Sequence, residues 1–170
     1  DDENRYLFCC QCIGYALSQY RDPLNPITLV FGEETSDSNL GGGAGKGILV
    51  NAIQKLAPAV IVDGKSFNPD SEFAFQRVNA YHKIVVLQDT KDKFDFENLF
   101  SKTTDGFTVR KLFTPEFFIP FEDSPIFIIT TNYSIDNEKG AAERRLKLLE
   151  FSSFFNSKNK PIDYLGEVLF

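Results

Sequence analysis

A run of glycines followed by a lysine is the stretch of this chain whose residue types point most clearly to chemistry. It reads Gly41-Gly42-Gly43-Ala44-Gly45-Lys46-Gly47 and is called the glycine loop below. Glycines let a backbone adopt positive φ and approach a ligand closely. The N–H groups of such a loop and of a following helix can face an anion, and the lysine adds a positive charge. The loop therefore predicts a phosphate-binding site.

The segments on either side of the loop fit this interpretation. The apolar run 27–31 predicts a buried strand, and the apolar spacing over 47–56 predicts a helix. A strand, a glycine-rich loop with a lysine, and a helix form the context of a nucleotide phosphate site. The loop departs from the usual pattern because Leu40 replaces its first glycine and Gly47 replaces its Ser or Thr. Taken alone, the loop is also compatible with a glycine-rich turn carrying a solvated lysine.

Polar residues at the ends of two other apolar runs extend the candidate site. Gln88-Asp89 follows the run 84–87, and Thr131-Asn132 follows the run 126–130. Parallel α/β sheets form their sites at the carboxyl ends of their strands. An acid there can hold Mg²⁺, and an amide can orient water. Each residue alone could be a turn former, but the three strand ends together predict a nucleoside triphosphate site.

The order of elements along the chain predicts the fold class. Apolar strands alternating with helices indicate an α/β fold with a mostly parallel central sheet flanked by helices. We expect an N-terminal helical segment over 1–26 and a single core domain over 27–170. The predicted strands are 27–31, 59–62, 84–87, 126–130 and 146–151, and the predicted helices are 5–20, 47–56, 71–78 and a short one capped by Asp95 and ending near Phe100. Residues 103–119 predict a β-hairpin.

Composition and charge narrow the classes of function. The 170 residues carry a net charge of −6, which argues against broad, nonspecific nucleic-acid binding by a lone monomer. No apolar run is long enough to span a membrane, and no signal peptide is visible. Cys9, Cys10 and Cys12 lack the further ligands of a zinc site, so we expect reduced thiols and a cytoplasmic protein.

Taken together, these segments resemble the superfamily-three type of helicase ATPase domain, within the AAA+ class of P-loop NTPases. Such domains occur in primase–helicase proteins of phages, prophages and large DNA viruses, and the resemblance is closest to those of Bacteroides-type genomes. It runs from about Gly14 to the C-terminus. The segments that carry it are 14–17, 42–47, 62–67, 75–78, 94–97, 119–121, 129–133 and 143–145.

The resemblance implies roles for individual residues. Lys46 would contact the β- and γ-phosphates, and Asp89 would be the surviving acid that holds Mg²⁺. Asn132 would be the sensor of the γ-phosphate. Either Arg144 or Arg145 would be an arginine finger acting on the site of a neighbouring subunit. The nucleotide-binding residues would be Gly42, Gly43, Ala44, Gly45, Lys46, Gly47 and Ile48.

The segment 103–120 resembles the hairpin that projects into the central pore of these helicases. By that resemblance Arg110 and Lys111 would grip the phosphates of single-stranded DNA. Two solvated charges on a loop are the alternative interpretation of these residues. The resemblance also implies a homo-oligomeric ring, expected to be a hexamer, with ATP and Mg²⁺ as cofactors. A primase domain in the same or another chain would accompany this fragment of a longer protein.

Two departures from the family pattern concern the metal. Gly47 lacks the usual hydroxyl, and Gln88 replaces the first of two usual acids. We therefore expect ATP binding with slow hydrolysis in the isolated domain. The leading hypothesis is an ATP-driven motor of a replicative DNA helicase. The alternatives are a nucleotide-binding assembly module that hydrolyses poorly and, less favoured, a small-molecule kinase.

Overall fold

The computed structural model describes residues 2–33, 43–133 and 144–169. Its helices are α1 (Asp2–Ser18), α2 (Lys46–Leu56), α3 (Glu97–Thr104) and α4 (Pro161–Leu165). Its strands are β1 (Thr28–Glu33), β2 (Ala59–Asp63), β3 (Ile84–Thr90), β4 (Phe107–Lys111), β5 (Thr114–Ile119), β6 (Ile126–Thr131) and β7 (Leu146–Phe151).

Five of these strands form one parallel sheet in the order β2-β3-β6-β1-β7. The three inner strands β3, β6 and β1 are almost wholly buried, as expected of a parallel sheet covered on both faces. The predicted α/β class and the predicted sheet strands are therefore confirmed. The strand order places β6 between β1 and β3, so the carboxyl ends of these three strands lie side by side.

Alternate residues of each inner strand supply two separate cores. On one face, residues such as Val85, Phe127 and Ile129 pack with α3 and with the hairpin. On the other face, residues such as Val86 and Ile128 pack against α1 and α2. This alternation follows from the two-residue period of a β-strand. Each inner strand therefore contributes apolar side chains to both cores, which lie on opposite faces of the sheet.

The N-terminal helix differs from its predicted bounds of 5–20. It ends at Ser18, so Tyr20 lies outside it and is exposed. Its most buried residues are Cys12 and Ala16, which join the core on the α2 side of the sheet. Cys9, Cys10 and Cys12 are free thiols. Burial, with a smaller contribution from Cys9, raises the pKa of the Cys12 thiol to about 11.

The helix predicted over 71–78 is wrong, because the structure has successive turns there. The backbone hydrogen bonds join residues three apart, from Ala74, Gln76 and Val78 to Ser71, Phe73 and Phe75 at 2.8–3.0 Å. Turns of this kind bury Phe75 and Val78 as effectively as a helix would. The short helix predicted near Phe100 is confirmed, although it extends to Thr104. Asp95 is not its capping residue as predicted: the carboxylate accepts the N–H of Glu97 at 2.9 Å, but Phe96 stands directly before the helix and makes no side-chain capping hydrogen bond.

The predicted hairpin is also confirmed, in the form of the antiparallel pair β4–β5. It starts at Phe107 rather than Thr103, which belongs to α3. Its turn carries Leu112 and Phe113, both exposed, and Phe113 has a positive φ of 61°. Large apolar side chains thus occupy the tip of the hairpin.

Within the described residues, no helix has both the length and the apolar character needed to cross a membrane.

Candidate nucleotide-binding site

The ends of β3 and β6 and the start of α2 open onto one cavity of about 380 Å³. Lys46, Asp89 and Asn132, which the sequence predicts as site residues on three different segments, all line it. The remaining lining residues are Gly43, Ala44, Gly45, Gly47, Ile48, Val50, Gln88, Thr130 and Pro161. The strand order thus brings Gly43 and Asn132 together although they lie 89 positions apart in the chain.

The described part of the glycine loop turns sharply into α2. Gly45 has φ 99° and stands directly before the helix, and its carbonyl accepts the N–H groups of Ile48 and Leu49 at 3.0 and 3.2 Å. A residue with a side chain would be strained at that φ. The turn places the start of α2, with Lys46 and Gly47, at the wall of the cavity, where the positive end of the helix favours an anion. Gly42 was predicted as a binding residue and lies outside the described residues.

Lys46 is held by two side chains. Its ammonium group forms an ion pair with the carboxylate of Glu33 and donates to Oδ1 of Asn132 at 2.6 Å. The side chains of Lys46 and Glu33 are only 7% and 9% exposed. Lys46 thus bridges the end of β1 and the end of β6. This places its charge at the loop, where phosphate oxygens would need it.

Asp89 lies in a β-bulge. The pairing register between β3 and β6 shifts between Leu87 and Thr90, and Asp89 has a positive φ of 55°. Its N–H donates to Oγ1 of Thr130 at 2.8 Å, which secures the bulge. Bulges re-aim side chains and cluster near functional sites. Here the bulge brings both Gln88 and Asp89 to the cavity wall.

A close backbone contact supports the bulge from β2. Gly64 donates its N–H to the carbonyl of Gln88 at 2.6 Å. A Cβ on Gly64 would lie 2.7 Å from that carbonyl oxygen and 2.8 Å from the Thr90 side chain. Only glycine fits this approach. The segment after β2 therefore contributes to the position of Asp89.

The residues present fit a metal–nucleotide complex better than a metal ion alone. Among the described residues, no group of three or more His, Cys, Asp or Glu could hold an ion. Within residues 2–33, 43–133 and 144–169, Asp89 is the one carboxylate lining the cavity, next to the neutral Gln88 and the side-chain-free Gly47. Mg²⁺ commonly binds through one or two carboxylates together with substrate phosphates and water. Asp89 fits that role, and the phosphates would supply most other ligands.

A segment after β7 covers the glycine loop. Asn156 backbone atoms lie 3.6 Å from the Cβ position of Gly43, and a ring carbon of Phe155 lies 3.8 Å from that of Gly45. The Asn156 carboxamide oxygen accepts two backbone N–H groups, from Lys158 and Asn159, which orders the segment. No local pattern in the sequence indicates this contact, because it joins positions more than 100 residues apart.

The two predicted finger arginines do not line the cavity of their own chain. Both directly precede β7. Arg145 places its guanidinium 4.9 Å from the ring centre of Phe100, in a cation–π contact with α3. Arg144 is exposed. The sequence does not choose between the two arginines, but the structure distinguishes them: Arg145 contacts α3, and Arg144 is exposed.

The two basic residues predicted to bind DNA both have partners in the described structure. Arg110 pairs with Glu116 at 2.6 Å and with Glu72 at 3.1 Å, and these contacts raise the pKa of its guanidinium, that of Glu116 most. Lys111 donates to the side-chain oxygen of Asn79 and lies over the ring of Phe117. Their role with nucleic acid stays a prediction.

Beside Lys111 lies the single histidine of the chain. His82 is buried, and its Nδ1 accepts the N–H of Asn79 at 2.9 Å. Burial, followed by the nearby charge of Lys111, lowers the His82 pKa. The neutral imidazole therefore binds the backbone of Asn79, whose side chain accepts the hydrogen bond from Lys111 of the hairpin.

Glu33 is the site residue that sequence reasoning missed. The predicted strand 27–31 ends two residues before it. The structure extends β1 to Glu33 and places its carboxylate on Lys46. Polar residues at the ends of the other two strands predict the site. The same rule identifies Glu33 when the strand is taken to end at residue 33, as it does in the structure.

Comparison with solved structures identifies a similar fold. The chain matches the A-form apo structure of the NrS-1 C-terminal region with a TM-score of 0.55 at 21% sequence identity. The match covers 82% of this chain and 32% of that one, so this chain spans about a third of the length of its relative. No protein-family description matches the chain, and no curated protein matches it in sequence. The likeness concerns the fold.

Proposed function

We propose that this chain is the ATP-binding and ATP-hydrolysing motor domain of a replicative DNA helicase that works as an oligomeric ring on single-stranded DNA. The observation that carries the proposal is the position of Lys46. It is buried at the junction of the glycine loop and α2, it contacts Asn132, and it shares one cavity with Asp89. This combination suits a P-loop NTPase site, which needs a phosphate-binding cation, a polar sensor and a metal-binding acid.

Each residue has a defined task in this proposal. The N–H groups of Gly45 and Gly47 bind phosphate oxygens, and Lys46 neutralises the charge between them. The Asn132 amide, already beside the Lys46 ammonium, orients water at the terminal phosphate. Asp89 binds Mg²⁺ directly or through water. The bound ion would withdraw charge from the phosphates during transfer.

Completion of the site by a neighbouring subunit is part of the proposal. An arginine that stabilises the transferring phosphoryl group is often supplied in trans. Arg144 and Arg145 are absent from the lining of their own cavity, which suits that arrangement. Arg144 is exposed whereas Arg145 is half-buried, and this exposure favours Arg144 as the finger. The exposed hairpin, with Arg110 and Lys111 near its tip, is the proposed contact to single-stranded DNA.

A nucleotide-binding assembly module is the second candidate. Two observations favour it: among the residues that the structure describes, Asp89 is the one carboxylate lining the cavity, and Arg110 is neutralised by Glu72 and Glu116. In such a module ATP would fix the oligomer without steady turnover.

Steady-state ATP hydrolysis separates the two candidates. It is measured with Mg²⁺, with and without single-stranded DNA, over a range of protein concentrations. The motor predicts turnover that DNA stimulates and that falls on dilution, since the finger acts between subunits. Tight ATP binding without turnover under every condition would instead support the assembly module.

A further inference from the structure

The ion pair between Glu33 and Lys46 is unusual for a site that must bind an anion. Lys46 already has Asn132 as a hydrogen-bond partner, and both charged side chains are more than nine-tenths buried. Burying a carboxylate costs free energy that a close ion pair only partly repays. A carboxylate at this place also opposes any phosphate that approaches Lys46. The Glu33 carboxylate therefore weakens the binding of a simple anion at Lys46. A role other than simple anion binding has to explain why it is buried there.

The charge of the ligand decides how strongly Glu33 opposes it. Glu33 cancels the single positive charge that Lys46 brings to the site. Free ATP carries roughly four negative charges, and its Mg²⁺ complex carries roughly two. Coulomb repulsion grows in proportion to the charge of the ligand. The penalty from Glu33 is thus about twice as large for free ATP as for the metal complex.

We propose that Glu33 is a specificity-determining residue that makes this site select the metal complex of the nucleotide over the free nucleotide. This inference rests on the proposed function. It assigns Glu33 no contact with the ion, because β6 separates β1 from β3 and two strand spacings amount to about 10 Å between Glu33 and the Asp89 bulge. Glu33 thus supplies by charge a metal dependence that Gly47 and Gln88 no longer supply by coordination.

The test compares nucleotide affinity with and without metal. A non-hydrolysable ATP analogue is titrated calorimetrically into wild type, Glu33→Gln and Glu33→Asp, once with excess Mg²⁺ and once with EDTA. Glu33→Gln removes the charge and keeps the shape and the hydrogen bond to Lys46. We expect it to strengthen metal-free binding about tenfold more than Mg²⁺-bound binding. Glu33→Asp keeps the charge and should keep the wild-type preference for Mg²⁺.

Two outcomes would overturn the inference. Equal changes in both buffers would mean that Glu33 does not discriminate by charge, and weaker binding in both would mean that it orients Lys46. Should Glu33→Gln fail to fold, Glu33→Ser, which leaves room for water beside Lys46, is measured in the same way. If wild type itself binds no analogue in either buffer, the proposed function fails as well. Wild-type binding with an unchanged preference in the neutral variant defeats this inference alone.

Discussion

Gly47→Ser tests whether the missing loop hydroxyl limits the metal chemistry of the site. Gly47 is the second residue of α2 and lines the cavity. A Cβ built on it meets no atom within 4 Å, so serine fits without displacing a neighbour. By the resemblance to P-loop domains, a hydroxyl here would be a ligand of Mg²⁺. The matched control is Gly47→Ala, which adds the Cβ without the oxygen.

Two separate free energies are expected to change. In a helix interior Ala is about 1 kcal/mol more favourable than Gly, and Ser lies between them. Both variants should therefore fold at least as stably as wild type, with a rise in Tm of about 2–4 °C at most for a domain of this size. In the proposed site, the serine oxygen would add one ligand to a Mg²⁺ for which Asp89 is the carboxylate among the described lining residues. We expect about a tenfold gain in affinity, or ~1.4 kcal/mol, and only with Mg²⁺ present.

The assay is a calorimetric titration of a non-hydrolysable ATP analogue in Mg²⁺ and in EDTA. Gly47→Ser should gain affinity in Mg²⁺ alone, and Gly47→Ala should match wild type in both buffers. If the two variants bind the analogue equally tightly in Mg²⁺, the hydroxyl reaches no metal and the expected gain in affinity is wrong. A fall in affinity for both variants would show that a Cβ at this position obstructs the phosphates.

Three further predictions concern residues around the site. Gly64→Ala should lower the free energy of unfolding by about 1–3 kcal/mol, because its Cβ would lie 2.7 Å from a backbone oxygen of the bulge; chemical denaturation measures this. Arg144→Ala should abolish hydrolysis while leaving ATP affinity intact, whereas Arg145→Ala should lower Tm through loss of its contact with Phe100; normal turnover in the first variant would exclude it as the finger. The folded-state pKa of His82 lies below its unfolded value near 6.5, so its contribution to stability is full above that value and is lost as pH falls through the folded pKa; a His82→Gln variant should show a flatter dependence of Tm on pH between about 7 and 5.

Much of the fold could be predicted because buried parallel strands leave a strong trace in sequence. The runs 84–87 and 126–130 are apolar at every position up to the last, as strands covered on both faces must be. The segment 71–78 could not be assigned in the same way. A helix and a series of turns can bury the same pair, Phe75 and Val78, so apolar spacing alone does not separate them. The helix α1 likewise ends at Ser18 and not at residue 20, because apolar spacing alone does not mark where a helix stops.

The candidate site was predictable where one rule sufficed and hidden where tertiary structure decides. Lys46, Asp89 and Asn132 follow from the rule that sites form at the carboxyl ends of parallel strands. The bulge at Asp89 depends on the register between β3 and β6, which sequence does not show. The cover formed by Asn156 is a contact between distant segments. Pairing of Arg110 with two glutamates likewise arises only when the hairpin meets the turns before it.

An equilibrium ATP titration of wild type against Lys46→Ala asks whether the cavity at Lys46 binds ATP. Removing Lys46 leaves the buried Glu33 carboxylate without its partner, so the double variant Glu33→Gln/Lys46→Ala is titrated alongside, with circular dichroism to verify folding. We expect saturable binding by wild type and an affinity about a hundredfold lower or undetectable in both variants, since the phosphates lose a charged donor. Folded variants that bind ATP as tightly as wild type would contradict this expectation.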